Sequence, residues 1–289
     1  MMAENDQQNP LISVIVATWN SEATIGKTLQ SLRKQVGADF EVLISDGAST
    51  DGTMALVGQY SDMLAHCESR KDGGVYDAWN RVIPIARGDW LMFLGSDDWL
   101  ERDNVLAELS RFVSDLAQDR QDSAYVYGET LLIEDAEVIE RLGADDLPDR
   151  RLGLDTDPPF SHTGLLHHRS LFKNFGLFES DFKSAGDYEF LLRTAKQPTT
   201  RFHRYPGIVA HMSAGGMSTG ASSRLRHYRE MYEARAIHCD KKVPLWLRMG
   251  RIRATLVLLL SNTLGNAVTI MSANAYRRLK GKPTRKSFR

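Results

Sequence analysis

Short apolar runs alternate with amphipathic stretches through the first hundred residues. Leu11-Ile12-Ser13-Val14-Ile15-Val16-Ala17 predicts a buried strand that ends at the polar triplet Thr18-Trp19-Asn20. Ser21 offers an N-cap for a helix running to about Gln35, with Ile25, Leu29 and Leu32 on one face. Phe40 to Ser45 predicts a second strand, and Asp46 to Gly52 a turn-rich loop. Thr53 to Tyr60 has helical character, and Met63 to Cys67 fits a short third strand. Val75 to Ala86 predicts a helix with an irregularity at Pro84; after Gly88, Asp89 to Leu94 is another strand. This rhythm predicts an α/β chain with a mostly parallel sheet and helices on both faces.

Ligands of such sheets lie beyond the C-terminal ends of the strands. Every polar cluster above falls at such an end. One site is therefore expected from Thr18 to Asn20, Asp46 to Asp51, and Gly95 to Asp98, Ser96 included. The second half is less regular. Ala124 to Gly128, Thr130 to Glu134 and Ser161 to His168 suggest strands, Asp187 to Thr194 has helical periodicity, and from about Ser222 the pattern is helical. The expected division is a flexible lead-in at 1–10, a main domain at 11–221 whose halves meet near residue 100, and a basic helical tail at 222–289.

Composition changes this picture in two places. Hydrophobic residues at 42% and charged residues at 25% are ordinary for a globular protein, so no class is excluded by the bulk figures. Cys67 and Cys239 are too few for a disulfide framework and lack the spacing of a zinc site, which favours a reducing cytoplasm. Met1 to Pro10 has no apolar core of the kind a signal peptide needs. The net charge of -1 conceals an asymmetry: no acidic residue follows Asp240, while twelve basic residues do, from Lys241 to Arg289.

Leu94-Gly95-Ser96-Asp97-Asp98-Trp99 sets two adjacent carboxylates just after an apolar strand. Carboxylates gathered there are costly unless a cation pairs with them, and a hard divalent ion that also bridges phosphate oxygens is a natural partner. The alternative is a simple acidic turn in which Asp98 caps a helix beginning near Arg102.

Four segments in order carry a resemblance: Val14 to Asn20, Asp46 to Thr53, Asp72-Gly73-Gly74-Val75-Tyr76-Asp77-Ala78-Trp79-Asn80, and Gly88-Asp89-Trp90 through Asp98. Together they resemble the family 2 glycosyltransferases of GT-A fold, above all bacterial enzymes that build polysaccharides such as colanic acid, capsule or O-antigen. The likeness covers about residues 10 to 220. It implies nucleotide-sugar contacts at Thr18, Asn20, Asp46 and Asp51, with Ser96 and Asp97 beside the donor, and divalent metal (Mn2+ or Mg2+) at Asp97 and Asp98. Two departures stand out: Gly95 replaces the first acid of an Asp-x-Asp, and Gly47 follows Asp46 where relatives carry a second aspartate.

Asp77 and Asn80 share a helix face and are expected to look toward the donor, with structural capping as the alternative. Lys71 and Arg70 are candidates to offset phosphate charge. Ser184-Ala185-Gly186-Asp187-Tyr188-Glu189-Phe190 places Asp187 at a helix start, where the dipole favours the ionised form. It resembles the family's acidic motif in which an Asp is the catalytic base, although relatives often have Glu where Gly186 stands. An N-cap is the other role open to Asp187. Glu189 is expected to be supporting or outward-facing. Pro159 to Gly164 resembles the acceptor-side segment, so His162 lines the acceptor pocket or is a structural histidine, and His167 and His168 are not expected to be ligands. His211 to Ser218 suggests a flexible glycine-rich loop able to close over a donor, with His211 a candidate for the metal shell.

In the tail, Ala254 to Gly265 is apolar but shorter than the ~20 residues a bilayer crossing needs. Basic residues on both flanks fit a helix lying in a membrane interface, which suits lipid-linked acceptors; docking on the catalytic core or on a partner copy is the alternative. Nucleic acid is disfavoured, because no recognition motif accompanies the charge. The resemblance thus implies an inverting transferase using a nucleotide-sugar, with UDP favoured, and a glycan or lipid-linked acceptor. Its rivals are a non-catalytic sugar-nucleotide-binding or assembly protein, to which Gly95 lends weight, and a nucleotidyltransferase. The latter needs a basic phosphate loop that Thr18-Trp19-Asn20-Ser21 does not offer, and no Gly-x-Gly-x-x-Gly supports a dinucleotide enzyme.

Overall fold

The computed structural model describes residues 11–117, 124–147, 152, 157–214, 221–239 and 243–279. The lead-in at 1–10, the end of the glycine-rich loop from residue 215, and the basic residues Lys241, Lys242 and those from Lys280 onward lie outside these.

Four parallel strands form the first half of one sheet: β1 (Ile12–Thr18), β2 (Phe40–Asp46), β3 (Leu64–Ser69) and β4 (Trp90–Gly95), in the spatial order β3-β2-β1-β4. The helices between them are α1 (Ile25–Arg33), α2 (Thr53–Gly58) and α3 (Val75–Val82). Alternation along β1 explains the layering. Ile12, Val14 and Val16 pack with Ile25, Leu29 and Leu32 of α1 and with Val105, Leu109 and Val113 of α4 (Val105–Ala117). Ile15 points the other way, into a second core with Tyr76, Trp79 and Val82 of α3. Helices therefore cover both faces, as the sequence pattern predicts.

Beyond β4 the sheet turns mixed. Its order continues β8 (Leu165–His168), β6 (Ala124–Glu134), β9 (Arg201–Ser213) and β5 (Trp99–Leu100), with β7 (Glu137–Leu142) paired to the far half of β6. β4–β8, β8–β6 and β9–β5 are antiparallel; β6–β9 is parallel. The two short strands expected at 124–134 are one continuous strand, and the strand expected from Ser161 begins only at Leu165, after a single helical turn at His162–Gly164.

Helices α5 (Arg169–Phe175) and α6 (Gly186–Ala195) follow β8, and α7 (Ala221–His238) and α8 (Leu245–Leu279) close the described chain. Met231, Ala234 and Leu247 of these last helices are buried in the same core as Phe93 and Phe190. The tail is thus packed into the main body where it begins.

Candidate active site

The ends of β1 and β2 are knotted together. Thr18 lies opposite Asp46 in register, and Gly47 N donates to Thr18 O at 2.9 Å. Asp46 is fully buried and accepts from Ser49 N (2.9 Å), Ser49 Oγ (2.5 Å) and Ser69 Oγ (2.5 Å). Asn20 adopts φ +47°, the left-handed region that Asn tolerates; its Oδ1 accepts from Thr50 N at 2.9 Å, and its own N–H donates to Ser49 Oγ. Asp51 accepts from Thr53 Oγ1 (2.6 Å), Thr53 N (3.0 Å) and Glu22 N (3.1 Å), and the Thr53 hydroxyl is the leading cause that holds its carboxyl below the usual range. Asp46 and Asp51 therefore shape the loops through bonds within the protein.

What this framework leaves open is different. Trp19 is 63% exposed, and the buried Thr18 Oγ1 has no partner among the described residues. Between Trp19 and Asp72 lies Gly47, where a Cβ would stand 2.8 Å from Asp72 Oδ2 and 3.3 Å from Trp19 Cδ1. A side chain at this position would have to displace the Asp72 carboxylate. Arg81 ties the floor together, with Nε 2.7 Å from Glu68 Oε1 and Nη2 2.9 Å from Ser45 Oγ.

At the end of β4 the two aspartates diverge. Asp98 is 5% exposed and accepts from Thr163 Oγ1 at 2.9 Å and Ser213 N at 3.0 Å. Burial first, then the charge of Asp97, push its carboxyl up to about 7 against the pull of those hydrogen bonds. Asp97 is half-buried, its carboxyl is also raised by burial, and no other side chain among the described residues bonds it. Both carboxylates fold back over Gly95, where a Cβ would lie 2.7 Å from Asp98 Oδ2 and 3.0 Å from Asp97 Oδ1. Gly95 thus makes room for this arrangement. Ser96 Oγ shares a 2.8 Å hydrogen bond with Ser21 Oγ, so Ser21 braces the turn; it does not cap α1, whose first residue comes four positions later.

Asp187 sits in the first turn of α6, half-buried, and accepts from Tyr76 Oη at 2.9 Å. Burial, and next the Asp187 charge, raise the Tyr76 phenol well above its ordinary range, so it stays a donor. Gly186 lies flat against that phenol: a Cβ would be 2.9 Å from Cδ2 of Tyr76, so any larger residue here would push the ring aside. The start of α6 is held from α7, since Glu230 Oε2 accepts from the N–H groups of Lys183 (3.0 Å), Ser184 (2.7 Å) and Ala185 (2.9 Å). Glu189 is buried and bonded to Arg193 (2.8 Å) and His238 (2.6 Å), so it is a supporting residue.

One segment joins the two acidic ends. Thr163 bonds Asp98, while its neighbour His162 lies within electrostatic reach of Asp187. The His162 ring stacks on Trp79 (5.1 Å) and Phe93 (5.4 Å); its Nε2 is out of water without a partner among the described residues, and burial lowers its basicity. One segment thus touches Asp98 beyond β4 and feels the charge of Asp187 at the start of α6.

Two expected side chains are used elsewhere. Asn80 clasps the backbone of Phe178, donating to its O at 2.8 Å and accepting from its N at 3.0 Å; it faces the loop before α6, a correction to the expectation that it looks toward a donor. Asp77, one turn earlier, accepts from Gly73 N at 2.9 Å. His211 belongs to β9, not to a loop. Its Nε2 is hydrogen-bonded to Glu101 and its ring stacks on Trp99 at 5.0 Å, leaving only Nδ1, which is buried and unpartnered. Among the described residues no cluster of three or more His, Cys, Asp or Glu is assembled for a metal. Trp19 lies within the expected Thr18–Asn20 cluster, whereas Asp72, Tyr76, Thr163 and Glu230 are additions that the sequence pattern gave no role. Tyr76 and Asp72 stood inside a recognised segment, whereas Glu230 acts across 45 residues and leaves no local signal.

A sequence profile described as Glycosyl transferase family 2 matches residues 13–133. The chain is 30% identical over 214 residues to the PGL/p-HBAD biosynthesis glycosyltransferase of Mycobacterium bovis, covering 72% of this chain and 79% of that one. Among solved structures it is similar to S. aureus TarS 1-349 in complex with UDP, with TM-score 0.59 and 19% identity, over 84% of this chain and 70% of that one. It is also similar to the mannosyltransferase PcManGT of Pyrobaculum calidifontis in complex with GDP-Man and Mn2+, with TM-score 0.59 and 18% identity, over 96% and 77%. At such identities the structural likenesses establish a shared GT-A-like fold.

Proposed function

The chain belongs to glycosyl transferase family 2, and on that premise we propose that it moves a sugar from a UDP-sugar to a hydroxyl of a glycan or lipid-linked acceptor, with inversion, in surface polysaccharide synthesis at the cytoplasmic side of a membrane. The observation that carries this reading is the His162–Thr163 segment, whose Thr163 hydroxyl bonds Asp98 beyond β4 and whose His162 ring feels the charge of Asp187 at the start of α6. UDP as the nucleotide rests on the TarS complexes with UDP and UDP-GlcNAc, against GDP-Man for the mannosyltransferase.

The nucleotide base stacks in this reading on the exposed ring of Trp19, with Thr18 Oγ1 and the Asn20 amide at its border. Asp46, Asp51 and Asp77 hold the loops around it. A divalent ion fits Asp97: such ions are commonly held by one or two carboxylates together with substrate phosphates, so a preassembled cage is not required. Asp98, bonded by Thr163 and Ser213, fixes the turn beside it. The chemistry supplied there by Mn2+ or Mg2+ is neutralisation of the charge that gathers on a departing diphosphate.

Asp187 accepts the proton of the acceptor hydroxyl while that oxygen forms its bond to the anomeric carbon and the bond to the diphosphate breaks on the opposite side. Tyr76 fixes the carboxylate through Oδ1 and leaves Oδ2 for the acceptor. His162, neutral in its aromatic nest, shapes the wall between the two halves. A non-catalytic role draws its support from the missing acid at Gly95, and a transfer assay separates it from this reading.

Thermal stabilisation by UDP-, GDP- and dTDP-sugars, with and without Mn2+, tests the donor assignment. Asp97→Ala is expected to abolish the metal-dependent shift. Asp187→Asn is expected to keep donor binding while transfer falls roughly 10²- to 10⁴-fold, the usual contribution of a general base. Normal turnover in the latter variant would remove Asp187 from the mechanism.

A further inference from the structure

Helix α8 has two unlike faces. Leu247, Gly250 and Ala254 are buried against the body of the protein. Gly250 allows a close approach there, since a Cβ would lie 2.5 Å from Cε1 of Tyr228, and the Arg251 guanidinium covers the Tyr232 ring at 4.9 Å. The opposite face carries Leu245, Met249, Ile252, Leu256, Leu259 and Leu260, which are 37% to 73% exposed. Their steps of four and three residues align them along one stripe of a helix with about 3.6 residues per turn. Exposed Arg248 and Arg253 border that stripe.

The charge pattern selects the partner. After Asp240 the sequence has twelve basic residues and no acidic one. A contiguous apolar stripe calls for a partner that can bury it, and its border calls for negative charge. A second copy of the same face would bring like charges together. Nucleic acid offers phosphates without apolar depth. No helix of the described residues is long and apolar enough to cross a membrane, so the stripe is not a span.

We propose that α8 lies in the surface of an anionic lipid bilayer, with its apolar stripe among the acyl chains and its arginines on the headgroup phosphates. The inner face of α8 packs on α7, and α7 holds the start of α6 through Glu230. Docking therefore sets the helix that bears Asp187 at a fixed height over the bilayer. The docking itself does not rest on the transfer reaction.

The test is cosedimentation of the full chain with phosphatidylcholine vesicles, with or without an equal part of phosphatidylglycerol, in the absence of any sugar donor or acceptor. The expected result is binding that needs phosphatidylglycerol and weakens in ~1 M salt, where screening shortens to about 3 Å. A double variant, Ile252→Glu with Leu256→Glu, is expected to lose binding by about tenfold or more without a change in melting temperature, because both positions are exposed. Val36→Glu, exposed far along the chain on a loop after α1, should bind as the unaltered protein does. Unaltered protein that stays in the supernatant with anionic vesicles overturns the proposal, as does a double variant that still binds. A dimer dissolved by the double variant, with no vesicle binding, assigns the face to a second copy and overturns it too.

Discussion

Asp97 and Asp98 are adjacent in the chain but meet different surroundings, and the difference has a measurable consequence. Asp98, enclosed by Thr163 and Ser213, keeps its proton up to about 7, whereas an unfolded aspartate releases it near ~4. Between those values the folded state binds more protons than the unfolded one. Stability in the presence of a chelator should therefore fall as pH rises through that window and level off above it. Asp98→Asn should flatten most of this slope in thermal melts; an unchanged slope would place the titration on another group. Glycine identities at this scale became intelligible only with neighbours in place. Gly47, Gly95 and Gly186 stand where the resemblance leads one to expect acids, and at each the backbone is met by a contact: Asp72 and Trp19, the two aspartates, or the Tyr76 ring. The sequence showed the substitutions and their order along the chain, but the space that they leave depends on residues from other elements. Asn80 shows the same limit. Its spacing from Asp77 placed both on one helix, yet the partner that claims its amide is Phe178, 98 residues away.

Elements whose cores are local were legible from periodicity: β1, β2 and β4 as apolar runs, α1 and α3 as amphipathic helices. Those that depend on distant pairing were not. β9 carries Pro206 and Gly207 in its middle and has no clean alternation; it is a strand because β6 pairs it in parallel, with register shifts around Gly128. At Gly128 a Cβ would meet Val209 Cγ2 at 2.5 Å, so the two strands approach too closely for a side chain. The two residues of β5 have no signal of their own. The most consequential relation between elements is also non-local. Glu230 of α7 supplies the acceptor for three consecutive N–H groups before α6, groups that otherwise lack a helical partner. Glu230→Ala should cost about 2 to 4 kcal/mol, more than an ordinary helix cap, because several partly buried donors lose a charged acceptor together. It should also lower turnover with little change in donor affinity, since α6 carries Asp187 and the donor loops lie on other elements. Chemical denaturation together with donor titration reads both effects. A variant with unaltered stability would show that solvent satisfies these donors equally well.

At the scale of the whole molecule, the open matter is whether the helical tail is an appendage or part of the fold. A change of pattern near residue 222 suggested a boundary, and the chain does switch there from sheet to helices. The core does not switch with it. Met231, Ala234 and Leu247 lie in the same cluster as Phe93 of β4 and Phe190 of α6. Arg235, itself buried, donates to Tyr188 Oη at 3.2 Å, and the Trp246 ring meets that of Tyr188 at 6.4 Å. A helix built on this core along one side and bare along the other should respond to substitution by side. Leu247→Ala removes a fully buried side chain and should cost about 2 to 5 kcal/mol, lowering the melting temperature of the entire protein in one transition. Leu256→Ala, on the exposed side, should stay within about 0.5 kcal/mol of the unaltered chain. If α8 were an independent arm, Leu247→Ala would leave the main transition in place, and heating would reveal a second, separate one. A single shifted transition would instead mean that the rim bearing Asp97, the helix bearing Asp187 and the outward apolar stripe share one rigid body, so that whatever holds α8 also orients the site.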